Sequence, residues 1–449
     1  MWDRFRWIFC QLEVLRDCLP ASVRRTLKEL PESLDETYGR ILKEIKKPNR
    51  ALARRVLQCL VVAIRPLRVS ELAEVLVVDF DDSEGIPRLN ADWRWEDQEQ
   101  ALLIACSSLI SIIEDGHSRV VQFSHFSVKE FLTSSRLSTA SGEVSAYRID
   151  LENAHTILAQ SCLGVLLQTH GEIDGNLSMD HSLAKYAAEH WTTHAQFEEV
   201  ASHLQKGIES LFDVENPHFK AWLKLYDIDT RPINGAAFAI FAPFSKSPAT
   251  PLYYAALCGF HDVVENLIAK YPHEVNADGG HNIRPIIAAL AGEHFRTADL
   301  LRRSGADLNV RGRYETFPLH SAAWAEKLEV ARKLIEYDAD IDARDNDGWT
   351  PLYWTSFGEC FKDGSVLRLL LERGADTNAR TADDGFTPLH RASANGALEL
   401  VALLLEHGAD VESVDNNRKT ALQVVGKVAG VDEERFDEIR RLLVEHGAK

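Results

Sequence analysis

The seven cysteines (Cys10, Cys18, Cys59, Cys106, Cys162, Cys258 and Cys360) include no CxxC pair and are odd in number. Neither a disulfide framework nor a zinc module is therefore indicated. What remains is a set of small, buried, apolar side chains in a reducing, intracellular setting. No apolar run reaches the ~18–20 residues needed to cross a bilayer, so no membrane contact is expected. The opening MWDRFRWIFCQLEVLRDC has neither the apolar run nor the cleavage site of a secretory signal. Catalytic signatures are missing too: there is no GxxxxGK[ST], no GxSxG and no HExxH. No enzyme activity, cofactor or metal is expected, and the cytoplasm is favoured over the nucleus.

What is present is a chain of 449 residues, long enough for two or three domains, with 45% hydrophobic and 26% charged residues. The net charge of −18 is unevenly spread. Residues 1–70 carry fifteen Lys/Arg against eight Asp/Glu, whereas residues 249–449 sum to −10. An acidic body repels nucleic acid.

Internal repetition is the strongest signal. TPLYYAA, RPIIAAL, FPLHSAA, TPLYWTS, TPLHRAS and TALQVVG align through Pro251, Pro285, Pro318, Pro351, Pro388 and Ala421, at intervals of 34, 33, 33, 37 and 33. Thr caps a first helix and Pro sits in its first turn, where a missing N–H costs nothing. A second apolar stripe follows, such as LVALLLEHGADVE. Gly305, Gly374 and Gly408 stand where that second helix needs a left-handed cap. One such unit cannot bury its own apolar face, so units must stack. The period and motif resemble ankyrin repeats over about 200 residues. The 37-residue interval places about three extra residues in the Phe357–Gly364 loop and one near Asp383–Gly385. The final DEERFDEIRRLLVEHGAK reads as a capping helix, with which the chain is expected to end.

The first half follows a different logic. Ser33 and Glu36 form a capping box before SLDETYGRILKEI. Asn49 is expected to cap ALARRVLQCLVVAI, Ser70 opens ELAEVLVV, and QEQALLIACSSLI follows Trp93 and Trp95. Two β-rich runs around Asp115–His117 and a short helix, SVKEFLTS, complete a winged-helix pattern. The fold class expected is mainly α: a winged helix, a helical connector and an ankyrin solenoid.

LPESLDETYGRILKEI, RPLRVSELAEVLVVD and FSHFSVKEFLTS resemble the winged helix that follows the NACHT ATPase in fungal NACHT–ankyrin receptor-like proteins. FRWIFCQLEVLRDC is similar to the last helix of that family's ATPase module. LAKYAAEHWTTHAQF and FKAWLKLYDID match its connector. The resemblance implies domains at 1–18 (ATPase remnant), 19–145 (winged helix), 146–230 (connector), 231–248 (linker) and 249–449 (repeats). It also implies repeats that sense a ligand, coupled through the winged helix to an ATPase, with possible contact to such a module. The family's phosphate loop maps onto nothing here; Gly426–Lys427 lacks the upstream glycine. Either a shortened relative or a fragment of a longer product is expected.

The function read from this is non-catalytic binding of a protein partner through the concave ankyrin face. The candidate contacts are Tyr314, Trp324, Trp349, Phe357 and Phe386. Trp349 and Phe386 are expected to be exposed because each follows a turn glycine. Asp345, Asp347, Asp383 and Asp384 either ring this face and select a basic partner or simply form turns. One alternative is the regulatory fragment of a nucleotide-hydrolysing receptor. The other is a nucleic-acid binder using the basic residues Arg24, Arg25, Lys28, Lys43, Lys46, Lys47, Arg50, Arg54 and Arg55, disfavoured because SELAEVLVV carries two Glu and no Lys or Arg. His190 and His194 have the spacing of metal ligands but fit a packing role better, and Ser124–His125 has no orienting acid.

Overall fold

Ser33 opens the first described helix: its hydroxyl accepts from the Glu36 N–H at 3.2 Å, and α1 runs Leu34–Glu44. The computed structural model describes residues 33–449 except 81–85, 117, 140–141, 169–181, 231–248, 281–282, 313–315, 357–363 and 427–432. The expected ATPase remnant, residues 1–18, and the linker, residues 231–248, lie outside the described residues. The described chain divides into two units, Met1–Ile228 and Asp229–Lys449.

In the first unit α2 (Arg50–Val62) stops before Pro66, and the two-residue strand β1 (Leu67–Arg68) leads into α3 (Val69–Leu76). A second short pair, β2 (Val78–Asp79) and β3 (Arg88–Leu89), precedes α4 (Gln98–Cys106). The wing is β4 (Ile110–Asp115) and β5 (Ser118–Phe123), turned at Gly116. β5 also pairs with β1, which gives an antiparallel sheet of order β1-β5-β4. α5 (Phe126–Thr133) and α6 (Arg136–Thr139) follow. The connector is α7 (Leu151–Leu166), α8 (Ala184–Ala195), α9 (Val200–His203), α10 (Gln205–Phe212) and α11 (His218–Leu225). α7 packs on α2, α3 and α8, so wing and connector share one core.

That core contains charge. Glu71, 1% exposed, accepts both guanidinium nitrogens of Arg65 at 2.7 and 2.8 Å and the Arg68 N–H at 2.8 Å. Such a pair is tolerated in low dielectric because both carboxylate oxygens are hydrogen-bonded. Arg65 also lies 4.9 Å above the Tyr186 ring. The Tyr186 hydroxyl accepts from the Ile64 N–H at 3.2 Å and bonds His194 Nε2 at 2.9 Å.

In the second unit each repeat contributes two helices. The first helices are α12 (Pro251–Cys258), α14 (Pro285–Ala291), α16 (Pro318–Trp324), α18 (Pro351–Trp354), α20 (Pro388–Asn395) and α22 (Ala421–Val424). The second are α13 (His261–Lys270), α15 (Phe295–Arg303), α17 (Leu328–Glu336), α19 (Ser365–Glu372), α21 (Leu398–Glu406) and α23 (Glu433–Glu445). At the first, third, fourth and fifth junctions between repeats, first helices pack on first and second on second, in two layers. Thr250, Thr350 and Thr387 cap their helices by accepting the N–H three residues on, and Pro occupies the first turn of five of the six. α23 buries Phe436, Ile439 and Leu443 and leaves most of its charged residues exposed.

Gly305, Gly374 and Gly408 adopt φ of 88°, 85° and 82°, the left-handed caps read from the sequence. In the third repeat the same place is taken by Asp338, at φ 64°. An Asp tolerates this region but at a cost. Asp338→Gly is therefore expected to stabilise the second unit by about 1 kcal/mol, read as a higher urea midpoint with unchanged slope.

Candidate functional site

The tips of the inter-repeat turns are built around buried carboxylates. Asp345 Oδ1 accepts the N–H groups of Asp347 and Trp349 at 3.1 and 2.8 Å, and Oδ2 accepts the Trp354 indole N–H at 2.8 Å. Gly348 completes this turn at φ 74°, and a Cβ there would meet Ala382 N at 3.0 Å. Both conformation and the next turn thus require glycine. Asp415 repeats the arrangement, accepting from Asn417 and Lys419 N–H at 2.8 Å each. Adjacent tips are laced together by Ala382 N–H to the Asp347 carbonyl and Asn416 N–H to the Asp384 carbonyl, both 2.9 Å. Guanidinium groups add to the lacing: Arg344 donates to the Arg380 carbonyl at 2.8 Å, and Arg380 to Asn416 Oδ1 at 3.2 Å.

A second set of links joins each first helix to the following turn. The His320 Nδ1 accepts from Phe317 N–H, so Nε2 carries the proton and donates to the Trp349 carbonyl at 2.9 Å. His390 repeats this: Nδ1 accepts from Thr387 N–H and Nε2 donates to the Lys419 carbonyl at 3.0 Å. Burial lowers the pKa of both rings, which keeps them neutral.

On this frame the aromatic residues separate. Trp349 is half-buried, with its ring 5.4 Å from Tyr353 and 6.0 Å from Trp354. Phe386 is not exposed as expected: it is 8% exposed and packs with Tyr353, Ala394 and Val424. The reason is the closure of its turn. Phe386 N–H donates to Thr381 Oγ1 and Asp384 Oδ1 at 2.8 and 3.0 Å, and its carbonyl accepts from Thr381 N–H. The ring is drawn inward and stacks on His390 at 5.4 Å. Trp324 is half-buried at the end of α16. Tyr314 and Phe357 lie outside the described residues.

The acidic residues separate as well. Asp345 and Asp384 spend their carboxylates inside turns, Asp384 Oδ1 also accepting from Thr381 Oγ1 at 2.6 Å. Asp347 and Asp383 are exposed. Partial burial pushes the Asp383 carboxyl pKa up, but hydrogen bonds from backbone N–H groups outweigh it and hold the pKa below the usual value.

Two residues absent from the sequence reading lie among these aromatic residues. Trp354 and Arg391 stand three residues after Pro351 and Pro388, where other repeats place Tyr254, Ser321 and Val424. Arg391 lies 5.6 Å over Tyr353 and 5.5 Å over Phe386, and its Nε donates to the Tyr353 hydroxyl at 3.1 Å. The signal that could have found them is this equivalent place in the motif, which the capping argument passed over.

The other sites weighed from sequence resolve into structural roles. His194 is buried, with Nε2 on the Tyr186 hydroxyl and Nδ1 on His155 Nδ1, both at 2.9 Å. Burial pushes its pKa down to about 3, and the neighbouring His155 and His190 push the same way. His125 caps α5, accepting from Ser127 N–H. In α3, Glu71, Glu74 and the residues between and after them are buried, and Glu74 is held by Arg94 and the Leu183 N–H. A helix so covered offers no face to a DNA groove. His261, Asp262 and Glu265 bring donor atoms within 4.8 Å of one another at the start of α13, but two of the three residues are exposed acids and Arg296 opposes a cation there. No helix of the described residues is long and apolar enough to cross a membrane.

Folding keeps His194, His320 and His390 neutral, whereas the unfolded chain protonates histidine near pH 6.5. Unfolding at lower pH therefore takes up protons, and stability present above about pH 6.5 declines below it. Urea midpoints measured at pH 7.5 and 5.5 are expected to fall between the two, with His320→Gln and His390→Gln each reducing the difference.

Comparison with known proteins follows the same division. Residues 41–161 match the family model described as "GPI inositol-deacylase, winged helix domain". Residues 286–381 and 359–449 match "Ankyrin repeats (3 copies)", and residues 249–279 match "Ankyrin repeat". The chain is 30% identical over 268 residues to the "Azaphilone pigments biosynthesis cluster protein L" of Monascus ruber, covering 57% of this chain and 55% of that protein. It thus spans about half the length of that relative. It is 52% identical over 50 residues to "Ankyrin repeat domain-containing protein 49" of Bos taurus, covering 11% of this chain and 21% of that one. Among solved structures it resembles the ankyrin repeat domain of Bcl-3 at a TM-score of 0.40 and 28% identity, covering 44% of this chain and 87% of that one. The chain is a winged-helix domain of the GPI-inositol-deacylase type followed by ankyrin repeats.

Proposed function

We propose that this chain is a non-catalytic protein-interaction module whose contact face is the row of turn tips and first helices around Trp349. The observation that carries the reading is an indole held half-open on a fixed aromatic bed, beside the exposed carboxylates Asp347 and Asp383. A rigid, part-buried aromatic residue gives contact area at little entropic cost, which is the character of an interface hot spot. The flanking carboxylates and the −10 balance of residues 249–449 select a partner of basic character. Trp324, Trp354 and Arg391 would extend the same face. Asp384 supports it from within the turn rather than by contact, and Phe386 does so as the floor beneath Trp349. The domains read as 19–145, 146–230 and 249–449, with a linker at 231–248.

A second reading places this chain as the regulatory, ligand-sensing part of a NACHT-type signalling ATPase. Its support is the order of winged helix, helical connector and ankyrin repeats, together with the similarity to a fungal protein over more than half of the chain. A Gly-rich phosphate loop encoded in frame upstream of Met1 would favour it; an upstream stop codon would sink it. Residence in the cytoplasm fits either reading.

Affinity capture from a native lysate, comparing the full chain with Trp349→Ala and Asp347→Lys, tests the first reading. At least one captured protein is expected to drop tenfold or more in both variants and to dissociate at raised salt. An unchanged set of captured proteins would move the contact away from this face.

A further inference from the structure

Ile64 follows α2 on the wing side of the first unit, and its N–H donates to the Tyr186 hydroxyl at 3.2 Å. From there a line of side chains crosses the connector. Tyr186 Oη lies 2.9 Å from His194 Nε2, and His194 Nδ1 lies 2.9 Å from His155 Nδ1. Tyr186 and His194 belong to α8 and His155 to α7. The first two are fully buried, whereas His155 is half-buried and stacks on Phe197 at 4.1 Å. The line thus runs from a sealed interior to one ring that solvent reaches.

The donor inventory fixes the direction of each bond. The Tyr186 oxygen already accepts from Ile64, and among the described residues its own hydrogen has no acceptor but His194 Nε2. A buried hydroxyl hydrogen left without an acceptor is costly, so Tyr186 donates and Nε2 accepts. A neutral His194 then carries its hydrogen on Nδ1 and donates it to His155 Nδ1. A proton added to His155 goes to that same Nδ1, where it would face the His194 N–H across 2.9 Å. The line persists only by reversing, with His194 carrying its hydrogen on Nε2 and donating to Tyr186. Tyr186 then receives two N–H groups, and its own hydrogen is stranded in the interior.

We propose that His155 is a proton-sensing latch between wing and connector: neutral, it orients the line that holds Ile64; protonated, it reverses the line and releases the Ile64 N–H from Tyr186. The surroundings set the range. Burial, and then the charge of Lys129 on α5, lower the His155 pKa below the usual 6.5, and no other charged group of the described residues is felt there. Glu152 of α7 is paired with His203 of α9 at 3.4 Å. His190 lies on the His194 side, Arg65 over Tyr186, and Cys59 of α2 and Glu71 of α3 face α7 at Cys162 instead. The latch is therefore closed at neutral pH and opens as the pH falls through the lowered His155 value.

NMR of isotope-labelled histidine rings in the full chain between pH 8 and pH 5 tests this, together with amide exchange corrected for its intrinsic pH dependence. At pH 8, His194 is expected as the Nδ1–H tautomer and His155 as the Nε2–H tautomer. As His155 takes its proton, His194 should change to Nε2–H with the same midpoint. Exchange of the Ile64 amide should accelerate about tenfold over that range, while the buried Leu57 amide of α2 keeps its rate. In His155→Gln, whose carbonyl accepts from Nδ1–H without titrating, His194 should stay Nδ1–H and Ile64 stay protected at pH 5. Tyr186→Phe should give at pH 8 the fast Ile64 exchange that the parent chain reaches only in acid. The proposal is overturned if His194 keeps Nδ1–H while His155 is charged, or if His155 stays neutral to pH 5. It is equally overturned if Ile64 and Leu57 accelerate together, or if the Ile64 step survives in His155→Gln.

Discussion

A pair of short ankyrin helices leaves one apolar face uncovered, and only the next pair can cover it. Everything in the second unit follows from how that stacking is held in register. Burial alone is non-directional. Direction is supplied by hydrogen bonds that run from one repeat into the next: His320 to the Trp349 carbonyl, His390 to the Lys419 carbonyl, and the N–H groups of Ala382 and Asn416 to the preceding turn. The same bonds fix the turn tips. Trp349 is therefore presented by a backbone whose carbonyl, N–H and neighbouring glycine are all committed. A surface made this way, proposed above as the contact face, would lose little entropy on binding.

The first unit answers a related problem with charge. Its third helix would present Glu71 and Glu74 to solvent in an isolated winged helix. Here the connector covers it, and Arg65, Arg94 and the Leu183 N–H meet both carboxylates. Tyr186 and His194 extend that network from the wing into α7 through His155. Breaking one member would leave the others buried without partners, so wing and connector fold as one core. Arg40 and Arg50 pair with Glu44 and Glu143.

Much of this was legible in the residues. The period through Pro251 to Ala421 fixes where helices begin. Gly305, Gly374 and Gly408 mark where they end. Ser33 with Glu36 and the paired β-rich runs define the winged helix. These features are local: each depends on a backbone preference that a few residues settle. The face around Trp349 was only half legible. Trp349 and Phe386 both follow a turn glycine, yet one stays half-open and the other is buried. Thr381 and Asp384 close the Phe386 turn inward, a difference that spacing does not reveal. Trp354 and Arg391 escaped because their importance comes from partners nine and thirty-eight residues away, Asp345 and Tyr353. Burial of Glu71 and Glu74 was equally hidden, since it depends on long-range packing against the connector.

The most direct measurement is site-specific photo-crosslinking in a native lysate. A photoreactive amino acid would be placed at Asp347 in one preparation and at Arg303, exposed on a second helix, in another. The account predicts a discrete adduct with one protein from Asp347, abolished when Trp349→Ala is added, and none of that protein from Arg303. An equal adduct from both positions, or one that survives Trp349→Ala, would contradict it.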